Sequence, residues 1–267
     1  MNSIIKFLYA VLPKSAVSAI GKNKALKNVR DRILRPNQIE VIIRENIIWG
    51  NGKFQFFAPI RMAVKAKNKG IESLLLRNSL KLIEDTKIEK PVVLDIGANY
   101  GFISLALQTN LNEHAIIHSF EPHPEIFKTF QKSISENGIT NITLTNVAIG
   151  SEDCEIALNL YGQTSNILGS DKDIKGKALI KQINLDNYLL ENNIQPNFIK
   201  IDVDGYEMNV LNGLKQTIAK FKPIMVIETN DDYEVLAFLK SCNYKLLDLN
   251  LKEFEGMPNN VFCVFSY

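Results

Sequence analysis

Cysteine and histidine are scarce in this chain, with three of each among 267 residues. The cysteines, Cys154, Cys242 and Cys263, are far apart and show no C-x-x-C spacing. That pattern argues against a disulfide framework and against a zinc site, and the histidines offer no ready-made metal site either. Reduced, structural thiols are typical of an intracellular protein, so we predict a cytoplasmic location.

Long apolar runs are also missing, because no stretch approaches the roughly 18 residues that a membrane-spanning helix needs. Collagen-like, mucin-like and disordered compositions are excluded, since 46% of the residues are apolar and 22% are charged. The apolar stretch 4–12 is short and stops at Pro13. A strongly basic segment follows it, which argues against a cleaved signal peptide.

Charge is distributed unevenly although the net charge is only +2. Residues 1–70 hold 14 basic and three acidic residues, whereas residues 71–267 hold 17 basic and 26 acidic ones. We therefore divide the chain into a basic N-terminal extension of helices and strands, 1–70, and a main domain, 71–267. The asymmetry indicates an anionic partner for the extension, with a merely solvated basic face as the alternative.

Residues 1–35 combine the apolar stretch with six basic side chains between Lys22 and Arg35. This combination favours peripheral docking on an anionic membrane, which would be the inner membrane face of the cell. A helical lid or a dimer contact is the alternative. The sequence leaves the oligomeric state open, and we expect no nucleic-acid partner.

From Pro91 onward, short apolar runs alternate with helix-like stretches. Such alternation predicts an α/β fold with a mainly parallel sheet and helices on both faces. The predicted strands of this sheet are 92–96, 115–120, 142–147, 198–201, 224–227, 244–249 and 261–265. The predicted helices are 70–85, 102–107, 124–137, 185–191, 207–221 and 231–241, and additional strands are predicted at 39–43, 53–57, 155–160 and 177–183.

The first strand of this sheet runs into a glycine turn with the spacing D-x-G-x-x-x-G, formed by Asp95, Gly97 and Gly101. Gly97 lets the backbone turn sharply close to a ligand, and Gly101 allows close packing of the helix start. The middle glycine of the dinucleotide motif G-x-G-x-x-G is missing, which argues against a nicotinamide-dependent oxidoreductase. Asp95 at the strand end suits a neutral or cationic ligand instead.

A second acid, Glu121, ends the second strand, 20 residues after Gly101. A carboxylate at this place can accept hydrogen bonds from both hydroxyls of a ribose. The two features together favour a site for S-adenosylmethionine. The third strand leads into Asn146, Val147 and Ala148, which we expect beside the adenine, with a polar strand cap as the alternative for Asn146.

The fourth strand ends in Asp202, Asp204 and Glu207, and the fifth in Glu228 and Asn230. Acids this close together repel one another unless they bind something cationic, although acids at a helix start are also common for structural reasons. If a metal such as Mg²⁺ binds, its ligands are predicted to be Asp202, Glu228 and Asn230.

Five segments resemble the FkbM-type S-adenosylmethionine-dependent methyltransferases over residues 90–230 and occur in the family's order. They are V-L-D-I-G-A-N-Y-G, F-E-P-H-P, N-V-A-I-G, I-K-I-D-V-D-G-Y-E-M-N-V-L-N-G and P-I-M-V-I-E. Asp204 stands where the family more often has glutamate. The resemblance implies a Rossmann-like, seven-stranded class I methyltransferase sheet and O-methylation of a hydroxyl.

The acceptor is expected to be a small molecule or glycan intermediate, because the family commonly methylates sugars or secondary metabolites. The polar loop from Tyr161 to Asn166 suits a polyol. A binding protein that uses the fold without catalysis is the competing interpretation. The candidate cofactor-binding residues are Asp95, Gly97, Asn99, Gly101, Glu121, Asn146, Val147, Ala148 and Asp202. The candidate general bases are Asp202, Glu207 and His123.

Overall fold

A computed structural model describes residues 12–13, 16, 37–42, 52–111, 114–159 and 177–266, with the strand at 37–42 described by its backbone. Nearly all of the predicted membrane-docking segment, residues 1–35, lies outside this part of the chain. The predicted polar loop 161–166 also lies outside it. Membrane docking and the role of the loop therefore stay predictions. Within the described residues, no helix is both long and apolar enough to cross a membrane.

Strands in the described residues belong to three sheets. The strands are β1 (Asn37–Ile42), β2 (Lys53–Ala58), β3 (Val92–Ile96), β4 (Ile116–Phe120), β5 (Ile142–Thr145), β6 (Ala148–Gly150), β7 (Cys154–Asn159), β8 (Lys177–Asn184), β9 (Phe198–Ile201), β10 (Ile224–Glu228), β11 (Tyr244–Leu247) and β12 (Asn260–Phe265). Short apolar runs bounded by glycine, proline or asparagine account for most of these strands, as the sequence predicts.

Helices alternate with the central strands. They are α1 (Ile60–Lys69), α2 (Ser73–Asp85), α3 (Phe102–Leu111), α4 (Pro124–Glu136), α5 (Leu185–Glu191), α6 (Glu207–Asn212), α7 (Lys215–Phe221) and α8 (Tyr233–Ser241). The predicted helix 70–85 begins later than expected, because Gly70 adopts a φ of +74° and ends α1. The predicted helix 207–221 is interrupted at Gly213, where a Cβ would overlap the carbonyl oxygen of Gly150.

The main sheet has seven strands in the order β11-β12-β10-β9-β3-β4-β5. The five strands from β10 to β5 are parallel, and β12 pairs antiparallel with both β10 and β11. Alternate residues of each strand enter two separate cores. Val93 packs with residues of α2, α3 and α4, and Leu94 packs with residues of α5 to α8. The predicted seven-stranded sheet with helices on both faces is confirmed.

The strand β2, which pairs antiparallel with β1, and the helix α1 contribute residues to the first of these cores. Phe54 and Phe56 make edge-on ring contacts with Phe102 at 5.7 and 5.4 Å. The backbone N–H of Phe57 donates to Ser133 Oγ of α4. Residues 53–69 thus share a core with the main domain, and the boundary at residue 70 stays a prediction.

A small three-stranded sheet, in the order β6-β8-β7, follows the main sheet's edge strand β5 in the chain. Gln182 of β8 is buried and donates from its amide to the Glu152 carbonyl oxygen. Its amide oxygen accepts a hydrogen bond from the Tyr206 hydroxyl at 3.0 Å. This bond connects the small sheet to the loop that follows β9.

Candidate functional site

A cavity of about 240 Å³ opens at the carboxyl ends of β3, β4 and β9. Parallel strands bring the residues that follow them to one edge of the sheet, so loops far apart in sequence meet there. An apolar strip on one side of the cavity consists of Ile96, Phe120, Pro122, Ile126, Val147, Ala148 and Ile149. The polar lining consists of Glu72, Asn99, Glu121, Asp202, Asp204 and Glu228.

Gly97 lies at the bottom of this cavity, directly after β3. Its φ is +76°, and a Cβ at this position would overlap the carbonyl oxygen of Asp202. The N–H of Asp202 in turn donates to the Ile96 carbonyl oxygen at 3.1 Å. Glycine is therefore required here both for the left-handed backbone and for the close contact between the loops after β3 and β9.

Glu121 follows β4, and its side chain is 4% exposed. One carboxyl oxygen accepts the N–H of Asn99 and the other accepts the N–H of His123, both at 2.8 Å. Each oxygen keeps one further lone pair, so the group can accept two more hydrogen bonds from a ligand. Burial raises the pKa of Glu121 to about 7, although the two N–H donors oppose this shift.

The raised pKa of Glu121 predicts that stability depends on pH in the protein without ligand. The ordinary glutamate pKa is 4.5. The protonated carboxyl of Glu121 therefore makes its full contribution to the free energy of unfolding below about pH 4.5, and this contribution is lost as the pH rises through about 7. Urea unfolding at pH 5 and pH 8 should show that Glu121→Gln loses less stability than the unmodified protein, by on the order of 3 kcal/mol, while the contribution of other carboxyls with raised pKa values remains.

The matched control for this experiment is Glu125→Gln, at an exposed position on α4. It removes the same side-chain charge and should keep the pH dependence of the unmodified protein. If Glu121→Gln and the unmodified protein lose equal stability between the two pH values, Glu121 is not the group that titrates there.

Lys200 of β9 is buried and forms an ion-pair network behind the cavity. Its ammonium nitrogen lies 3.1 Å from Asp202 Oδ2 and 3.5 Å from Asp95 Oδ1. Asp95 also accepts a hydrogen bond from Ser104 at 2.5 Å. Burial would lower the pKa of Lys200, but the carboxylates of Asp202, Asp95 and Glu72 raise it above its ordinary value.

Asp202 and Glu228, at the ends of the neighbouring strands β9 and β10, differ in charge state. Burial would raise the pKa of Asp202, but Lys200 outweighs it and holds the pKa below its ordinary value. Burial, the charge of Asp202 and a hydrogen bond to Asp202 raise the pKa of Glu228 to about 7. Near neutral pH, Asp202 is therefore ionised, whereas Glu228 is present in both its protonated and its ionised form.

Asp204 joins these two residues, so that the carboxyl oxygens of Asp202, Asp204 and Glu228 lie within 4.8 Å of one another. Such an acidic group is compact enough for a divalent cation, although exposed acids also gather without one. Asn230, the third predicted metal ligand, instead donates hydrogen bonds to Glu207 and Glu228. The predicted ligand set of Asp202, Glu228 and Asn230 stays a prediction, and Asp204 is a further carboxylate close to two of its members.

Four predicted site residues do not line the cavity. Asp95 is fully buried against Lys200 and Ser104. Gly101 packs against Phe130, whose ring a Cβ would overlap. His123 caps α4 by accepting the Glu125 N–H on Nδ1, and Asn146 donates to the carbonyl oxygens of Glu121 and Pro122. These four support the residues that do line it.

Glu207, a predicted general base, also lies outside the cavity lining and is 2% exposed. One of its oxygens accepts the N–H groups of Val203 and Gly205 and the amide of Asn230. It therefore holds the loop after β9 in place. Among the predicted bases, only Asp202 lines the cavity.

Glu72 lines the cavity although the sequence analysis did not select it. It lies between α1 and α2, outside every motif that the sequence analysis used, and packing of the N-terminal helices brings it to the site. Lys200 was not predicted for another reason. The sequence pattern of a buried strand does not show whether a lysine within it is buried as well. The available signal was a lysine flanked by apolar residues on a predicted buried strand. Asp202 follows it two positions later, and Asp95 lies on the neighbouring strand.

The glycine turn, the sheet order and the cavity at the strand ends define a Rossmann-like protein with a cofactor-type site. The methyltransferase FkbM domain family matches residues 95–246, which is more than half of the chain. The chain belongs to this family, and the resemblance that the sequence indicated is confirmed.

Two relatives and one solved structure show how far the similarity extends. Methyltransferase 1 of Beauveria bassiana is 28% identical over 144 residues, covering 46% of this chain and 57% of that protein. The hexuronic acid methyltransferase AglP of Haloferax volcanii is 26% identical over 149 residues, covering 55% and 59%. The chain thus spans under two thirds of both relatives. A crystal structure of methyltransferase FkbM from Methylobacillus flagellatus superposes with a TM-score of 0.48 at 17% identity, covering 66% and 44%.

Proposed function

We propose that this protein transfers a methyl group from S-adenosylmethionine to a hydroxyl of a sugar in a glycan intermediate. The observation that carries the proposal is the placement of Glu121 and the Asp202–Glu228 pair in one cavity. Glu121 supplies a cofactor-binding carboxylate, and the pair supplies a proton acceptor. Membership of the methyltransferase family supports the same reaction class.

The lining of the cavity suits the chemical groups of S-adenosylmethionine. The apolar strip around Val147 and Ala148 suits the flat adenine ring, since it offers apolar contacts. The two free lone pairs of Glu121 suit the two ribose hydroxyls. Negative charge at Asp202 and Asp204 suits the positively charged sulfur.

The residues at the other end of the cavity, Asp202 and Glu228, act on the acceptor. When bound, S-adenosylmethionine supplies a methyl group whose carbon forms a bond to the acceptor oxygen as its bond to sulfur breaks. Glu228 takes the proton of the attacking hydroxyl, because its pKa of about 7 lets it exist as a base near neutral pH. Asp202, kept ionised by Lys200, raises the proton affinity of Glu228 through its negative charge.

The similarity that supports a sugar acceptor is weaker than the similarity that supports the reaction class. AglP is a hexuronic acid methyltransferase, and it is 26% identical to this chain over 149 residues. Transfer to oxygen fits a site that holds a carboxyl proton acceptor but presents no cysteine among its lining residues. A secondary metabolite with a free hydroxyl is the alternative acceptor.

The proposal predicts that Glu228→Gln keeps the cofactor but loses turnover. Calorimetry should show S-adenosylmethionine affinity within about twofold of the unmodified protein, because Glu121 remains. Transfer of a radiolabelled methyl group to a panel of neutral and acidic glycosides should fall by roughly 10²–10⁴-fold. Turnover of the unmodified protein should rise as the pH increases through about 7, because Glu228 must lose its proton.

The matched control is Glu234→Gln, at an exposed position on α8, which should leave both binding and turnover unchanged. Undiminished turnover in Glu228→Gln would contradict the role of Glu228 as base. Label found only on hydroxyls that are not part of a sugar would contradict the acceptor. Loss of turnover in EDTA, restored by Mg²⁺, would favour a metal at the acidic group over direct proton transfer.

A further inference from the structure

A second, smaller cavity of about 90 Å³ adjoins the one described above. The two cavities share Glu72, Gly97, Asn99 and Asp202 in their linings, so they lie next to each other. The smaller cavity is otherwise apolar, except for Lys200, and its remaining lining consists of Met62, Ile71, Ala98, Tyr100, Phe102 and Ile103.

The order of the strands sets the direction in which the cofactor extends. Val147 and Ala148, the proposed adenine contacts, follow β5, and Glu121, the proposed ribose contact, follows β4. The next strands along the sheet are β3 and β9, which carry Gly97 and Asp202 at their ends. A cofactor that begins over β5 and continues over β4 therefore directs its amino-acid part over Gly97 to the smaller cavity.

Two carboxylates line the smaller cavity and suit the α-ammonium group of an amino acid. They belong to Glu72 and Asp202. Asp202 already pairs with Lys200 at 3.1 Å. Glu72 is therefore the carboxylate with capacity left for a cation.

Glu72 is an exposed residue with an unusual backbone conformation at the start of α2. Its φ is +49°, in the left-handed region that a glutamate seldom adopts. It precedes the first turn of α2, where an acid commonly caps the helix, yet it makes no side-chain cap bond. Its side chain also makes no hydrogen bond to any other residue in the described part of the chain.

We infer that Glu72 binds the α-ammonium group of S-adenosylmethionine in the smaller cavity. This inference rests on the proposed function. It makes the segment before residue 95, which the family match does not include, part of the cofactor site. Packing of α1 and α2 on the sheet then completes a site whose other residues come from the methyltransferase motifs.

The test compares ligands that contain or lack the amino-acid part. S-adenosylmethionine and S-adenosylhomocysteine carry the α-ammonium group, and 5′-methylthioadenosine does not. Calorimetry with Glu72→Gln should show roughly tenfold weaker binding of the first two ligands and unchanged binding of the third. Glu121→Ala should weaken all three, because all three carry the ribose.

The matched control is Glu84→Gln, at an exposed position on the same helix, which removes an equal charge and should leave all three affinities unchanged. Retained binding of 5′-methylthioadenosine by Glu72→Gln shows at once that the variant is folded. Equal affinity of Glu72→Gln and the unmodified protein for S-adenosylmethionine would overturn the inference alone, as would equal weakening of all three ligands. An unmodified protein that binds none of the three would refute the proposed function itself.

Discussion

Glu121→Ala is expected to weaken the binding of S-adenosylmethionine by roughly a hundredfold or more, since two hydrogen bonds to a charged group are lost. The variant also leaves the N–H groups of Asn99 and His123 without their acceptor. The loop after β3 and the start of α4 therefore lose their common anchor. Isothermal calorimetry at pH 8, where Glu121 is ionised, gives the affinity.

Two controls separate the lost ribose contact from a general effect on the fold. Glu125→Ala removes an exposed acid four residues away and should bind as the unmodified protein does. Far-UV circular dichroism should show that Glu121→Ala keeps its helices. Affinity within a few-fold of the unmodified protein would show that Glu121 holds only the two loops and does not contact the ligand.

Lys200→Met is expected to lower the free energy of unfolding by roughly 3–5 kcal/mol, the usual result of breaking a buried ion pair. Asp95 is fully buried, and the lysine is the cation beside it at 3.5 Å. Removal of the lysine leaves that carboxylate without compensation in a medium that solvates charge poorly. Urea unfolding monitored by circular dichroism measures the loss.

The double variant Asp95→Asn, Lys200→Met tests this explanation directly. It removes both charges, so it should be more stable than Lys200→Met alone, although Asp202 also loses its partner. Lys215→Met, at an exposed position on α7, is the matched control and should change stability by less than about 0.5 kcal/mol. A loss in Lys200→Met as small as that would show that the network contributes little.

Most of the central sheet could be predicted because its strands are short apolar runs between turn-forming residues. The helix α1 was not predicted, since it follows Pro59 without a capping bond and buries the small residues Ala63 and Ala66 beside Ile60. The interruption at Gly213 was missed because it depends on Gly150, which is distant in sequence and lies against it. A local sequence pattern does not show contacts between residues that are distant in the sequence.

Some of the cavity residues could likewise be predicted from the sequence, and others could not. Glu121, Asp202 and Glu228 could be predicted because each ends a parallel strand, and strand ends meet at one edge of a sheet. Glu72 could not, because its position depends on how α1 and α2 pack on the sheet. His123 and Glu207 were expected to face the ligand, yet their hydrogen bonds to nearby backbone hold loops instead.

The order of the last strands has a consequence for the folding of the chain during synthesis. β12 lies between β10 and β11, although it is made after both. Until residues 260–265 leave the ribosome, β11 has no neighbour in the sheet and β10 is an exposed edge. Glu228, which pairs with Asn260 at the end of β10, would then have open solvent on one side. A nascent chain can thus form the part of the cavity at the ends of β3 and β4 before the part at the end of β10, so the surroundings of Glu228 would be completed last.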